Sequence, residues 1–412
     1  MLKEIKNNFY IYLIPFFLVS SRLTAELTII FSILFFVFNA FKTSNWHWIK
    51  DDWFKVSIIF VSYLILNSFF ISPNIIDSVL YSITFLRWPL FAISISFIFF
   101  NNKNKIRHLF FSLLIFLLFF SFDLCYQFIN EFDLFGNQRR GNRLTAFIGD
   151  NIISGRFIIL FSTLIIFLYF NNNLQRKNYI NPKIFLIFLC AIFCTLSIIG
   201  ERMSFLLGLY TLACFILIYF TKGKNYYFKI FAILFFISIF FIFLSYFFPN
   251  HYERTINSTI AKLLNFKNSD YGIIYQTCFN YWIENNKIFG NGYHQFNEII
   301  MQSINFPIKN HDVVINSISH PHNIPLQLLF ETGLIGLFLF YLIIIRLLIK
   351  IIKNKNCLLQ KISSLNIILI SFFPLMSHFS FQNNWINASS WFIIGVALGI
   401  SMNQNKTNAP LP

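Results

Sequence analysis

The stretch HPHNIPLQLLFETGLIGLFLFYLIIIR, residues 320–346, puts two imidazoles and an asparagine directly ahead of an apolar run. From Ile324 to Arg346 the residues are mostly Leu, Ile and Phe, interrupted by Gln327, Glu331, Gly333 and Gly336. The polar groups therefore occupy only the first turns of the helix that the pattern predicts. A segment that begins with ionisable chemistry and continues as hydrocarbon reads as a membrane span with its reactive end at the surface.

Composition agrees. Of 412 residues, 57% are hydrophobic, 59 are Phe and only 12% are charged, against about 25% charged in soluble domains. Crossing a bilayer takes about 20 apolar residues, and such runs recur along the whole chain. Spans are expected near 9–21, 23–41, 54–71, 80–100, 108–130, 152–170, 184–199, 203–220, 228–248, 322–348, 361–380 and 386–402. The expectation is an all-α polytopic membrane protein of about 12 transmembrane helices, a single integral domain over 1–412, with one large loop at 249–321.

The net charge of +16 is spread in small groups between apolar runs, as in Lys103-Asn104-Lys105-Ile106-Arg107, and not gathered on one face or tail as a nucleic-acid binder requires. The groups Lys42/Lys50/Lys55, Lys103/Lys105/Arg107, Arg176/Lys177/Lys183, Lys222/Lys224/Lys229 and Arg346 to Lys361 all alternate onto the N-terminal side. By the positive-inside rule that side is cytoplasmic, with both termini, and the 249–321 loop lies outside. The six cysteines lie in apolar runs or alone in loops, with no disulfide framework or metal quartet.

Arginine departs from this bias. Arg139, Arg140, Arg143, Arg156, Arg202 and Arg254 all fall on or near the outer face. A guanidinium is a planar, permanently charged fork that grips phosphate bidentately, so an anionic phosphate ligand at the outer leaflet is expected. Arg202 is the leading candidate because its turn, Gly200-Glu201-Arg202, is too short to reach far into water. The competing readings are an ion pair with Glu201 and headgroup snorkelling. Arg143, beside the apolar stretch Leu144 to Gly149, comes next.

A neutral imidazole can take a proton from a hydroxyl at neutral pH. His322, at the start of the helix, is the expected general base. His320 is expected to orient substrate or cap the loop, because two histidines flanking Pro321 are expected to point apart. No third ligand stands at zinc spacing, so no metal is expected. His251, His294 and His311 read as solvated loop residues. Tyr271 to Asn285 has helical periodicity, ended by Gly290 and Gly292, a turn that lets backbone approach a ligand closely.

Taken together, His322-Asn323, nine residues, Gly333, two residues, Gly336 resembles the signature of the bacterial O-antigen ligase and O-antigen polymerase superfamily. Arg202, three residues, Leu206 resembles its arginine motif, and Trp282 to Phe296 with Phe289-Gly290-Asn291-Gly292 resembles the segment preceding its histidine. The resemblance covers about 139–345. It implies a GT-C type glycosyltransferase of the bacterial inner membrane, its active site periplasmic and no cofactor required. The donor would be a glycan on undecaprenyl pyrophosphate, and the acceptor a hydroxyl of lipid A-core oligosaccharide for a ligase or a second lipid-linked glycan for a polymerase. Other O-antigen assembly proteins are implied partners. Carried onto this sequence, Arg202 would contact the pyrophosphate, with Arg143 and Arg254 as weaker transfers, and His322 would activate the acceptor hydroxyl. His320, Asn323, Glu201 and Asp150 would be helpers. A transporter or lipid flippase is the competing class. It would place ionisable residues mid-span, where only Arg87 and Asp123 are visible, and often shows two similar halves.

Overall fold

The computed structural model describes residues 9–100, 102–171, 181–220, 231, 235, 238–239, 241–243, 245–302, 308–310, 313–315, 320–353, 355, 358–374 and 380–403. The expected span at 228–248 therefore falls about half outside the described residues, and His311, Cys357 and the basic groups at Arg176/Lys177 and Lys222/Lys224/Lys229 lie outside them.

In chain order the helices are α1 Phe9–Ser20, α2 Arg22–Thr43, α3 Asp52–Ile71, α4 Ile75–Thr84, α5 Arg87–Phe99, α6 Lys103–Asn130, α7 Ser154–Asn171, α8 Pro182–Ile199 and α9 Arg202–Phe220. The loop region adds α10 Ser258–Leu264, α11 Asp270–Glu284 and α12 Phe296–Gln302, and the chain closes with α13 Ile324–Ile352, α14 Leu358–Ser371 and α15 Asn384–Asn403. Among the described residues seven helices are long and apolar enough to cross a membrane, α4 and α5 counting as one kinked helix over Ile75–Phe99, and four more are apolar but shorter. The molecule is a polytopic membrane protein. A short antiparallel ribbon, Ile308–Asn310 with Val313–Ile315, lies in the loop.

Packing follows side-chain size. Every residue of α7 is buried, the pattern of a helix apolar on all sides. α15 packs along α5 where Gly395 and Gly399, four apart, sit against Ala92 and Ser96; a methyl on either glycine would lie 2.7 Å from a backbone carbonyl of α5. This is the small-residue spacing that lets membrane helices approach closely. Elsewhere α3 runs along α13, and α7 along α14.

The expected intramembrane charges have structural partners. Arg87 pairs with Glu26 at 3.2 Å and also donates to Asn384. Asp123 accepts the backbone N–H groups of Leu134 and Phe147, each at 2.9 Å, and Gln127 one turn on accepts those of Thr145 and Ala146. These two side chains pin the 131–150 loop onto the end of α6. Asp51 and Lys350 pair at the opposite end of the bundle.

The helix that opened the sequence reading is broken. At Gly333 α13 takes φ 64° and ψ −165°, which only glycine adopts readily. The segment Lys287 to Gly292 enters the break: Leu334 and Ile335 donate to the carbonyls of Lys287 and Ile288, while Asn291 and Gly292 donate to those of Phe330 and Glu331 at 3.0 and 2.9 Å. Tyr63 covers a further carbonyl, that of Thr332, at 2.6 Å. The backbone groups released by the break are thus taken up inside the protein, as a low-dielectric setting demands. Gly290 and Gly333 must both be glycine, because a methyl on either would lie within 2.5 Å of the other strand's backbone. The close approach expected at the Gly290/Gly292 turn is therefore made to α13 and to Ser72, and not to a ligand.

Candidate active site

Three arginines converge where four segments meet. Asn142, in the pinned loop, lies against Gly200, whose φ of 80° leaves no room for a side chain: a methyl would stand 2.4 Å from the Asn142 carbonyl. Leu144 donates to the carbonyl of Ile199 at 3.1 Å, and Arg140 and Arg143 close a short bridge. The loop thereby carries Arg143 to the start of α9. Glu201 turns away from Arg202 toward α7, accepting the N–H of Gly155 at 3.0 Å and the hydroxyl of Ser204 at 2.8 Å. Burial pushes its carboxyl above the ordinary glutamate range, against the pull of those hydrogen bonds and of Arg143. The competing reading, a Glu201 to Arg202 ion pair, is not what forms. Glu201 is a tether between two helix starts.

Arg202 instead donates to the carbonyl of Arg254 at 3.1 Å and to the Ser258 hydroxyl at 2.8 Å. Arg254 sits in a π-turn, Glu253–Asn257. The widened turn sends the Ser258 N–H to Glu253, and the Arg254 carbonyl faces the Arg202 guanidinium. The Arg254 side chain in turn donates to the carbonyl of Gly200 at 3.2 Å. Burial together with the like charges of Arg143 and Arg202 lowers its pKa.

Charge pairing separates the six arginines expected near this face. Arg139 is neutralised by Glu131 at 2.6 Å and Arg140 by Asp150 at 2.9 Å. Arg156 is buried in α7 and donates to the carbonyl of Ser371 at 3.0 Å. Among the described residues no carboxylate lies within salt-bridge distance of Arg143, Arg202 or Arg254. Arg202 and Arg254 are held by neutral acceptors and Arg143 lies within electrostatic reach of Arg254; three half-buried guanidiniums so placed could take an anion. Asp150, exposed and engaged by Arg140, is not in it.

The histidines stand across Tyr271. His322 has φ 54°, a left-handed conformation uncommon for a residue with a side chain. It folds the chain back so that the rings of His320 and His322 meet, centroids 4.0 Å apart. The expectation that they point apart fails for this reason: alternation assumes extended backbone, which His322 leaves. The His322 ring meets the edge of Tyr271 at 5.6 Å, and Tyr271 lies within electrostatic reach of Arg254. Tyr271, in the first turn of α11, joins the two halves of the candidate site, and nothing beyond its helical position marks it in sequence. Asn323 is the N-cap of α13: it accepts the N–H of Leu326 at 2.9 Å and donates to the carbonyl of Pro374 at 2.8 Å. Tyr275 hydrogen-bonds Asn323, and burial pushes its hydroxyl up to about 12, so it stays protonated.

An apolar groove of about 570 Å³ leaves the histidine side, bounded by Tyr275, Leu326, Leu329, Leu337, Tyr341 and Pro374. His294, expected in solvent, is half-buried and stacks on Tyr81 with centroids 3.4 Å apart; burial lowers its pKa.

No curated protein matches this chain. Residues 184–341 match the family model described as O-antigen ligase, a stretch that begins in α8 and takes in Glu201, Arg202, Arg254, Tyr271, both histidines and the broken helix. Over these residues the chain is similar to the O-antigen ligase family, within a polytopic membrane protein.

Proposed function

We propose that the protein is an inverting glycosyltransferase of the bacterial inner membrane that moves a glycan from undecaprenyl pyrophosphate to a hydroxyl of lipid A-core oligosaccharide on the periplasmic face. The observation that carries this reading is the cluster of Arg143, Arg202 and Arg254, with no carboxylate of the described residues within salt-bridge distance, joined by Tyr271 to a histidine pair. The pyrophosphate would lie among the guanidiniums and the prenyl chain along the apolar groove. His322 takes the proton of the acceptor hydroxyl, whose oxygen attacks the anomeric carbon as its bond to the pyrophosphate oxygen breaks. The arginines stabilise the negative charge that develops on the leaving group, an electrostatic contribution worth about 3–4 kcal/mol per preorganised donor. One displacement inverts the anomeric centre. His320, in contact with His322, holds that ring in place. The charge pattern supports placing both termini in the cytoplasm.

The test is transfer in proteoliposomes holding glycan-linked undecaprenyl pyrophosphate and lipid A-core, with Arg202→Ala and His322→Ala as comparisons. Glycan on lipid A-core in the wild type, lost in both folded variants, supports the ligase. Longer lipid-linked glycan with lipid A-core untouched assigns a polymerase. No transfer to either acceptor by folded protein that binds donor removes the enzyme reading in favour of a transporter.

A further inference from the structure

A second cavity, of about 350 Å³, opens on the other side of the break in α13, lined by Asp77, Tyr81, His294, Glu298, Glu331 and Gln382 among others. Its volume is at the small end of ligand pockets, about 300–1,000 Å³, and among the described lining residues there is no lysine or arginine. It is therefore unsuited to phosphate. Glu331 is buried and held by neutral donors: Gln327 at 3.0 Å on Oε1, Gln382 at 2.9 Å and the backbone N–H of His294 at 3.1 Å on Oε2, and the backbone N–H of Phe296. Burying a carboxylate in a membrane protein without a cation is costly, and such groups mark functional positions.

The walls are built, not incidental. Asn74 donates through its backbone to the Gln295 side chain and through its amide to Asp77, and Ser78 donates to the carbonyl of Tyr293 at 2.6 Å, clamping α4 to the loop. Tyr81 and His294 stack beside the carboxylate. An aromatic surface next to several acceptors and amides, with no lysine or arginine among the described lining residues, matches a ring with an apolar face and a rim of hydroxyls.

We propose that this cavity is a glycan subsite that takes one neutral or amino sugar ring. The sugar packs against the Tyr81–His294 pair, and its hydroxyls bond Asp77, Glu298 and Gln382. Assigning that sugar to a transferred or accepting glycan rests on the transferase reading; the preference for a sugar ring does not. The two sites divide the substrates by charge, pyrophosphate among the arginines and sugar among the carboxylates.

The experiment is saturation-transfer-difference NMR on the full chain in lipid nanodiscs freed of sugar detergent, with glucose, galactose, N-acetylglucosamine and glucosamine as probes at millimolar concentration. At least one sugar is expected to receive saturation, falling about tenfold in Tyr81→Ala and in Gln382→Ala, the loss of a stacking face or of one to two hydrogen bonds. The signal is expected to persist in His322→Ala and Arg202→Ala. Tyr81→Ala in the transfer assay then identifies the source: a raised KM for acceptor alone assigns the acceptor glycan, and a raised KM for donor alone assigns the donor's. Absence of saturation for every sugar, or saturation indifferent to both pocket variants, overturns the proposal. Sugar binding without any transfer leaves the subsite standing and removes the transferase.

Discussion

At the residue scale, an arginine's importance follows from what neutralises it. Arg139 and Arg140 spend their charge on Glu131 and Asp150, whereas Arg143, Arg202 and Arg254 face one another. Removing one preorganised donor from a developing anion costs about 10² to 10³ in rate. Arg143→Gln is expected to lose at least that lower figure in transfer rate, and Arg139→Gln to stay within about twofold; equal losses would refute the selection by pairing. His294 gives a pH signature. Its lowered folded pKa means the unfolded chain binds the proton more readily, so its contribution to stability is whole above about pH 6.5 and is lost as pH falls through the lowered value. The drop in thermal midpoint from neutral to mildly acidic pH should be smaller in His294→Gln than in wild type, measured in nanodiscs.

Much of the site was legible at this scale, and the failures have physical causes. Arg202 and His322 stand out in sequence because one is an arginine on the lysine-poor side and the other opens an apolar run. The partnership of His320 with His322 was hidden because it depends on a left-handed φ at a residue that rarely adopts one. An ion pair of Glu201 with Arg202 is the competing reading because the two adjoin, but the nearest donors of Glu201, Gly155 and Ser204, come from two helix starts. Tyr271 had no mark at all; its role comes from where α11 begins.

At the element scale, the glycines of the two motif segments are one device. Gly290 in the loop and Gly333 in the helix meet backbone to backbone, and the hydrogen bonds on both sides of the contact lock the loop to α13. The sequence showed both glycines but not that they touch, since the contact spans the loop. Gly333→Ala combines a strained backbone, about 1–3 kcal/mol, with a methyl 2.2 Å from the Ile288 carbonyl. It is expected to cost more than about 3 kcal/mol, seen as a large fall in thermal stability. Gly136→Ala, with nothing within 4 Å of the new methyl, should cost only about 1 kcal/mol. Comparable losses in the two variants would contradict the lock.

At the scale of the whole molecule, the bundle gathers its reactive groups at one end. The arginine cluster, the histidine pair and the acidic cavity share the end where Arg22 meets Asn151, and Asp51 meets Lys350 at the other. Hydropathy and the lysine distribution made that layout readable, because a bilayer restricts spans to helices of set length. The kink between α4 and α5, the early end of α14 and the break in α13 were not readable, because they depend on tertiary partners. A membrane-impermeant maleimide should label a cysteine placed at Asn104 only from the cytoplasmic side and one at Gly136 only from the periplasmic side, in a cysteine-free background; labelling of both from one side would overturn the orientation.

The account's central claim is a division of labour, with guanidiniums binding the donor's pyrophosphate and His322 supplying the base. Its most direct measurement is equilibrium binding of glycan-linked undecaprenyl pyrophosphate to wild type, Arg202→Ala and His322→Ala in nanodiscs, alongside transfer by the same preparations. The prediction is that His322→Ala binds donor as wild type does and does not transfer, while Arg202→Ala binds at least about tenfold more weakly. Donor binding unchanged in Arg202→Ala, or full transfer by His322→Ala, would contradict it.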